Sequence, residues 1–210
     1  MSRKLYAIHS VFHTIQGEGV WTGTPAVFVR FAGCNVWSGR EQDREKASKV
    51  GVCGAWCDTE FRLGRGLGRM SPEELLDAVK GDAPIVVCTG GEPGLQLDDA
   101  LVRDLRLAGF RVHVETNGSV ELPEVDWITL SPKPPLQVKI ARADEVKCIF
   151  PDVDPEDWKH LAHHVFVQPR DDNDGLLGRA DRWAECVEYV QAHASWCRLS
   201  LQTHKLLGIE

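Results

Sequence analysis

The chain has 210 residues, 43% of them hydrophobic and 26% charged, with a formal net charge of −7. That composition supplies one full core, so a single domain over 1–210 is expected, and an acidic balance without a basic block excludes broad nucleic-acid or membrane-surface binding. The opening MSRKLYAIHSVFHTIQGEG has too short and interrupted an apolar run for a secretory leader, and no stretch reaches the roughly 18 apolar residues of a membrane span. Seven cysteines in such a chain point to a reducing, cytoplasmic setting, with the thiols as metal ligands or core residues.

In chain order, short runs rich in Val and Ile predict strands at 26–31 (AVFVRF), 85–88 (IVVC), 110–114 (FRVHV), 126–130 (DWITL), 145–150 (EVKCIF), 165–168 (VFVQ) and 198–201 (RLSL). Several are continuously apolar, the pattern of parallel strands covered on both faces. Between some of them lie helix signals. SPEELLDAVKG (71–81) has Ser71 as N-cap, Pro72 at the first helical position, and Glu73 and Glu74 in the first turn. LDDALVRDLRLAG (97–109) sets Leu97, Leu101, Leu105 and Ala108 on one face and stops at Gly109. GRADRWAECVEYVQAHA (178–194) spaces Trp183, Val187 and Val190 alike, and PEDWKHLAHH (155–164) is a weaker helix pattern. The connections after 114 and 130 are short or proline-rich, with Pro123 in one and SPKPP in the other, so neither holds a full helix. The expected fold is α/β, an incomplete, helix-poor β/α barrel of about six main strands and three main helices.

Polar motifs follow the strand runs. They are AGC after 31, TGGEP after 88, ETNG after 114, SPK after 130, QP after 167 and QTHK after 201. In β/α barrels the carboxyl ends of the strands carry the chemistry, so these six motifs read as one site.

The thiols divide into two groups. Cys88, Cys148, Cys186 and Cys197 sit in apolar runs or helix patterns and read as core residues. Cys34, Cys53 and Cys57 lie in a polar loop, 34–59, with eighteen and three residues between them. A structural zinc site closes with four ligands, and no second knuckle is present here. A four-iron cubane held by three thiolates leaves one iron open for a chelating ligand. From spacing alone, iron–sulfur and zinc both stand.

Three cysteines followed by CDT, TGGEP, ETNG and SPK resemble the radical S-adenosylmethionine (SAM) enzymes. With QGEG, the long insert after the first cysteine and the terminal QTHK, the chain is similar to the 7-carboxy-7-deazaguanine synthase family. The resemblance implies a 4Fe-4S cluster on Cys34, Cys53 and Cys57. It departs from the family spacing, because alignment from Trp56 puts Gly54 at the middle-cysteine place and Cys53 one residue early. It further implies SAM contacts from Trp56, Asp58, Gly91, Glu92, Glu115, Asn117, Ser131, Lys133 and Gln168. Thr59 is implied as the Mg2+ ligand.

The implied substrate is 6-carboxy-5,6,7,8-tetrahydropterin, met by Ile15, Gln16, Gly17, Glu18, Arg30, Thr89, His204 and the terminal Glu210. The implied reaction is a radical ring contraction to 7-carboxy-7-deazaguanine with loss of ammonia, on the route to queuosine and related deazapurines. A homodimer and a flavodoxin-type reductant are implied as well. Two other readings use parts of the same pattern. One is an enzyme that activates a glycyl-radical protein. The other is a zinc-stabilised binding module without catalysis.

Overall fold

The computed structural model describes residues 4–171 and 180–209. Its elements run β1 (Tyr6–Ile15), β2 (Pro25–Phe31), α1 (Arg44–Ser48), β3 (Gly68–Met70), α2 (Pro72–Ala78), β4 (Ile85–Gly90) and α3 (Asp99–Leu107). They continue with β5 (Arg111–Thr116), β6 (Trp127–Leu130), β7 (Glu145–Phe150), β8 (His164–Pro169), α4 (Ala180–Ala192), β9 (Cys197–Leu199) and α5 (Thr203–Leu207). All strands join one sheet in the order β3-β1-β2-β4-β5-β6-β7-β8-β9. β1 is antiparallel to both its neighbours, and from β2 to β9 every pairing is parallel.

The expected count of six strands and three helices is corrected to nine strands and five α-helices among the described residues, in an open sheet. The seven expected runs are all strands. The two additions, β1 and β3, form the antiparallel edge, where one face is only partly covered and polar residues such as His9, Ser10 and His13 break the apolar pattern. The two added helices, α1 and α5, have five residues each, too short for a periodic signal. The 155–164 pattern forms two 3₁₀ turns, Pro155–Asp157 and Lys159–Leu161, rather than a helix.

Alternation along the strands gives the sheet two faces. On the outer face Val27, Val29, Val86, Cys88, Val112 and Val114 pack against Leu75, Val79, Leu101, Val102 and Leu105 of the helical layer. Each such side chain contributes about 1.5–3 kcal/mol on full burial. α2 begins with a capping box: the Glu74 amide donates to the Ser71 hydroxyl at 3.3 Å, and the Glu74 carboxylate accepts the Ser71 amide at 2.7 Å. α3 is capped by Asp98, which accepts the Leu101 amide at 3.0 Å. α4 buries Cys186, with Tyr189 and Val190 beside it, against Val167 and Cys197. Of the expected stripe, Val190 packs inward and Trp183 is half-buried, whereas Val187 is exposed and its neighbour Cys186 takes the buried place. The four cysteines read as core residues are all buried.

The inner face is filled at the amino ends of the strands by Trp21, Ala26, Phe28, Ile85 and Val87, beside a ring stack of His113, Trp127 and His164. That floor leaves the carboxyl ends open.

Candidate active site

A cavity of about 550 Å³ opens at the carboxyl ends of β2 and of β4 to β8. Every site residue singled out from the sequence lines it except two. Glu92 faces away from it, and Glu210 lies outside the described residues.

The three loop thiols share one wall. Cys34 follows β2, and Cys53 sits in a 3₁₀ turn, Val52–Ala55, whose Cys53 carbonyl accepts the Cys57 amide at 2.7 Å. Val36, Trp37, Ala47 and Phe61 back the three sulfurs. Burial pushes the Cys53 thiol up to about 11 and raises Cys34 and Cys57, so a metal would have to displace their protons. The early position of Cys53 has a steric cause. A Cβ on Gly54 would lie 2.3 Å from the Ala47 carbonyl carbon, so the turn packs backbone to backbone on α1 and has no room for a side chain there. Arg44 of α1 closes the loop, donating to the Cys57 carbonyl at 3.2 Å and to the Gly54 carbonyl at 3.3 Å while lying 4.1 Å over the Trp37 ring. No three His, Cys, Asp or Glu side chains among the described residues are arranged to hold a single metal ion.

The next wall is the 89–93 turn. Gly91 approaches so closely that a Cβ would lie 2.0 Å from the Gly33 carbonyl oxygen, and the Glu92 amide donates to that same oxygen at 2.9 Å. The turn thereby fixes the segment carrying Cys34. The fully buried Glu92 carboxylate accepts the Thr116 hydroxyl at 2.7 Å and the amides of Asn117 at 2.8 Å and Gly94 at 2.9 Å. It braces the ETNG turn from behind. The Asn117 side chain in turn donates to Asn35 at 3.0 Å, tying ETNG to the cysteine loop. Lys133 donates to the Ser131 hydroxyl at 2.6 Å and lies 5.4 Å over the Trp56 ring; burial lowers its pKa.

Opposite stands the segment after β1. Gln16 donates to Glu115 at 3.0 Å, and the Thr89 hydroxyl reaches the other Glu115 oxygen at 3.3 Å. Arg30, at the end of β2, lies 5.8 Å from the Phe12 ring centre. The Thr203 amide donates to the Gly17 carbonyl at 2.9 Å, which sets His204 over the cavity. Burial lowers the His204 pKa despite the nearby Glu18 carboxylate, so its ring is mainly neutral at pH 7.

Comparison with known proteins decides the family. Relatives named 7-carboxy-7-deazaguanine synthase from Bordetella pertussis and Nitratidesulfovibrio vulgaris are each 44% identical to the chain, over 97% of it and 99% of their own length. The chain belongs to the 7-carboxy-7-deazaguanine synthase family. The crystal structure of QueE from Escherichia coli matches with a TM-score of 0.71 at 29% identity, covering 95% of both chains. No family model matches the chain.

This synthase-family chain is thus an enzyme, and its cavity is crossed by pairings not read from the sequence, one of them from Lys147, which lies outside every strand-end motif. Lys147 in mid-β7 pairs with Glu18, Gln202 donates to Glu18 at 3.0 Å, and Thr129 donates to Glu145 at 2.8 Å. Lys205 bridges Asp58 of the cysteine loop, at 3.0 Å, and Asp171. A signal for Lys147 was present in EVKCIF, because Glu145, Lys147 and Ile149 share one strand face and charges there need partners. No helix among the described residues is long and apolar enough to cross a membrane.

Proposed function

We propose that the chain catalyses the radical ring contraction of 6-carboxy-5,6,7,8-tetrahydropterin to 7-carboxy-7-deazaguanine, with release of ammonia, using a 4Fe-4S cluster, SAM and Mg2+. The observation that carries this reading is the sharing of one cavity by three thiols and a set of strand-end polar groups. The thiol set fits a cubane with one open iron. The other four cysteines are spent in the core, which leaves a four-thiolate zinc site without its fourth ligand among the described residues.

Cys34, Cys53 and Cys57 would hold the cluster. The glycine turn at Gly91, the ETNG turn with Glu115 and Asn117, the Ser131–Lys133 pair, and Gln168 would seat SAM, with Trp56 and Asp58 on the loop side. Glu92 serves that seat through Asn117. Thr59 offers a hard oxygen for Mg2+, a cation that keeps waters and substrate oxygens in its shell. When bound, cluster and SAM together supply the one-electron chemistry that removes a hydrogen atom from the pterin.

The protein's own part is orientation and exclusion of water. Arg30 presents a planar cation suited to the substrate carboxylate. Gln16 and Glu18 offer amide and carboxylate groups to the pterin ring edge, and Ile15 and Gly17 supply backbone beside them. Thr89 lies between the SAM and substrate sides. The ring of His204 covers the mouth and, being mainly neutral, can donate from one nitrogen and accept at the other. In the same reading the chain is cytoplasmic, works as a homodimer, receives electrons from a flavodoxin-type reductant and feeds queuosine or related deazapurines.

The test is anaerobic incubation of reconstituted protein with SAM, reductant, Mg2+ and the carboxytetrahydropterin. Mass spectrometry should detect 7-carboxy-7-deazaguanine. Formation of 5′-deoxyadenosine without that product would reject the substrate assignment and favour a protein-activating enzyme.

A further inference from the structure

The open side of the sheet is bridged by side chains. The segment after β1 crosses to β7 and is held there at two points. Glu145 accepts the Val20 amide at 2.9 Å, and Lys147, two residues on along the same face, pairs with Glu18. The side chains of that pair are 8% and 11% exposed. The other Glu18 oxygen accepts Gln168 at 3.1 Å and Gln202 at 3.0 Å.

We propose that Lys147 is a positioning residue for substrate recognition, holding Glu18 as an ionised, immobile acceptor for the amino-pyrimidinone edge of the pterin. This rests on the reading that Glu18 meets that edge. A carboxylate offers about four acceptor directions, and three are taken by Lys147, Gln168 and Gln202, so one remains for a ligand. The edge of the pterin presents N–H donors. A carboxyl that took up a proton would face them with a donor of its own, and a buried carboxyl without a cation favours its proton. The other groups facing Glu18 do not replace Lys147. His204 faces Glu18 and would favour its ionised form when protonated, but burial favours the neutral ring, and Glu115 and Glu145, which face Lys147, are carboxylates.

The product carries the same amino-pyrimidinone edge, so 7-carboxy-7-deazaguanine serves as a stable probe for calorimetric titration of the full chain. Wild type should bind it with an affinity nearly flat from about pH 6 to about pH 8, because Glu18 stays ionised throughout. Lys147→Met should weaken binding about tenfold or more at neutral pH, and the deficit should shrink as pH rises and Glu18 ionises again. Lys147→Arg should recover most of the affinity. The double variant Glu18→Gln/Lys147→Met removes both charges of the pair together and strands neither, so it should fold even if Lys147→Met does not, and should bind weakly at every pH. Wild-type affinity in Lys147→Met, or in the double variant, would overturn the inference while leaving the proposed reaction standing. So would a loss in Lys147→Met that is independent of pH and not relieved by Arg. Failure of wild type itself to bind the product would overturn the substrate reading, and the inference with it.

Discussion

The carboxylate of Glu92 accepts the Asn117 amide at 2.8 Å from a fully buried position behind the cavity wall. Burial raises its pKa against the pull of three hydrogen bonds, so removal of the side chain strands the Thr116 hydroxyl and the Asn117 and Gly94 amides. Glu92→Ala should destabilise the chain by about 2–4 kcal/mol, and Glu92→Gln, which keeps one acceptor oxygen, by less. SAM affinity should fall in step with stability across the two variants, as read by denaturant midpoint and equilibrium binding. A Glu92→Gln variant of full stability that no longer bound SAM would mean that the carboxylate touches the cofactor directly.

The backbone contact between Gly54 and Ala47 makes the unusual cysteine spacing a requirement of this loop. Moving the thiol to the family's position, as Cys53→Ala/Gly54→Cys, should force α1 off the turn. The double variant should retain well under half of the about four irons per chain that reconstituted wild type holds, with a lower melting temperature. Iron and sulfide analysis after anaerobic reconstitution decides it; full loading would show that the turn tolerates either register.

The parallel strands were legible because burial on both faces makes each a short apolar run, as at Ile85–Cys88 and Val165–Val167. β1 was not, because its half-covered edge carries His9, Ser10 and His13. In α4 Cys186 and Val187 are adjacent apolar residues, and only the surface of β8 and β9 chooses which of them joins Val190 in facing inward. The site was legible where glycine and proline punctuate strand ends. The charges of Glu145 and Lys147 on the face of an apolar strand signalled buried partners, but which partners was hidden, because Val20 and Glu18 lie far away in the chain. Pairing across a sheet leaves no local pattern that names the partner.

Arg44 clamps the cysteine loop through two carbonyls and the Trp37 ring. Lys at this position would keep the charge and lose the planar fork that reaches both carbonyls at once. Arg44→Lys should leave the fold intact and loosen the Cys53–Cys57 turn by about 1 kcal/mol, enough for roughly fivefold faster loss of a reconstituted cluster to a chelator. The decay of visible absorbance under anaerobic chelation measures it, and a wild-type rate would show that the clamp is dispensable.

His113 gives the fold its own acid sensitivity. It is buried beneath the cavity, its ring centre 5.0 Å from that of Trp21, with its Nε2 atom unpartnered. Burial, aided by the Arg111 charge, lowers its pKa from 6.5 to about 4. Between those values the unfolded chain binds a proton that the folded chain refuses, so stability falls as pH drops from 6.5 toward 4 and gains nothing from this group above 6.5. The loss should reach on the order of 2–3 kcal/mol at the acid end. His113→Phe keeps a ring against Trp21 and Trp127 and removes the proton site, so its stability should match or exceed wild type at pH 7 and decline less steeply in acid. Urea unfolding at several pH values compares the two slopes, and parallel curves would place the acid sensitivity elsewhere.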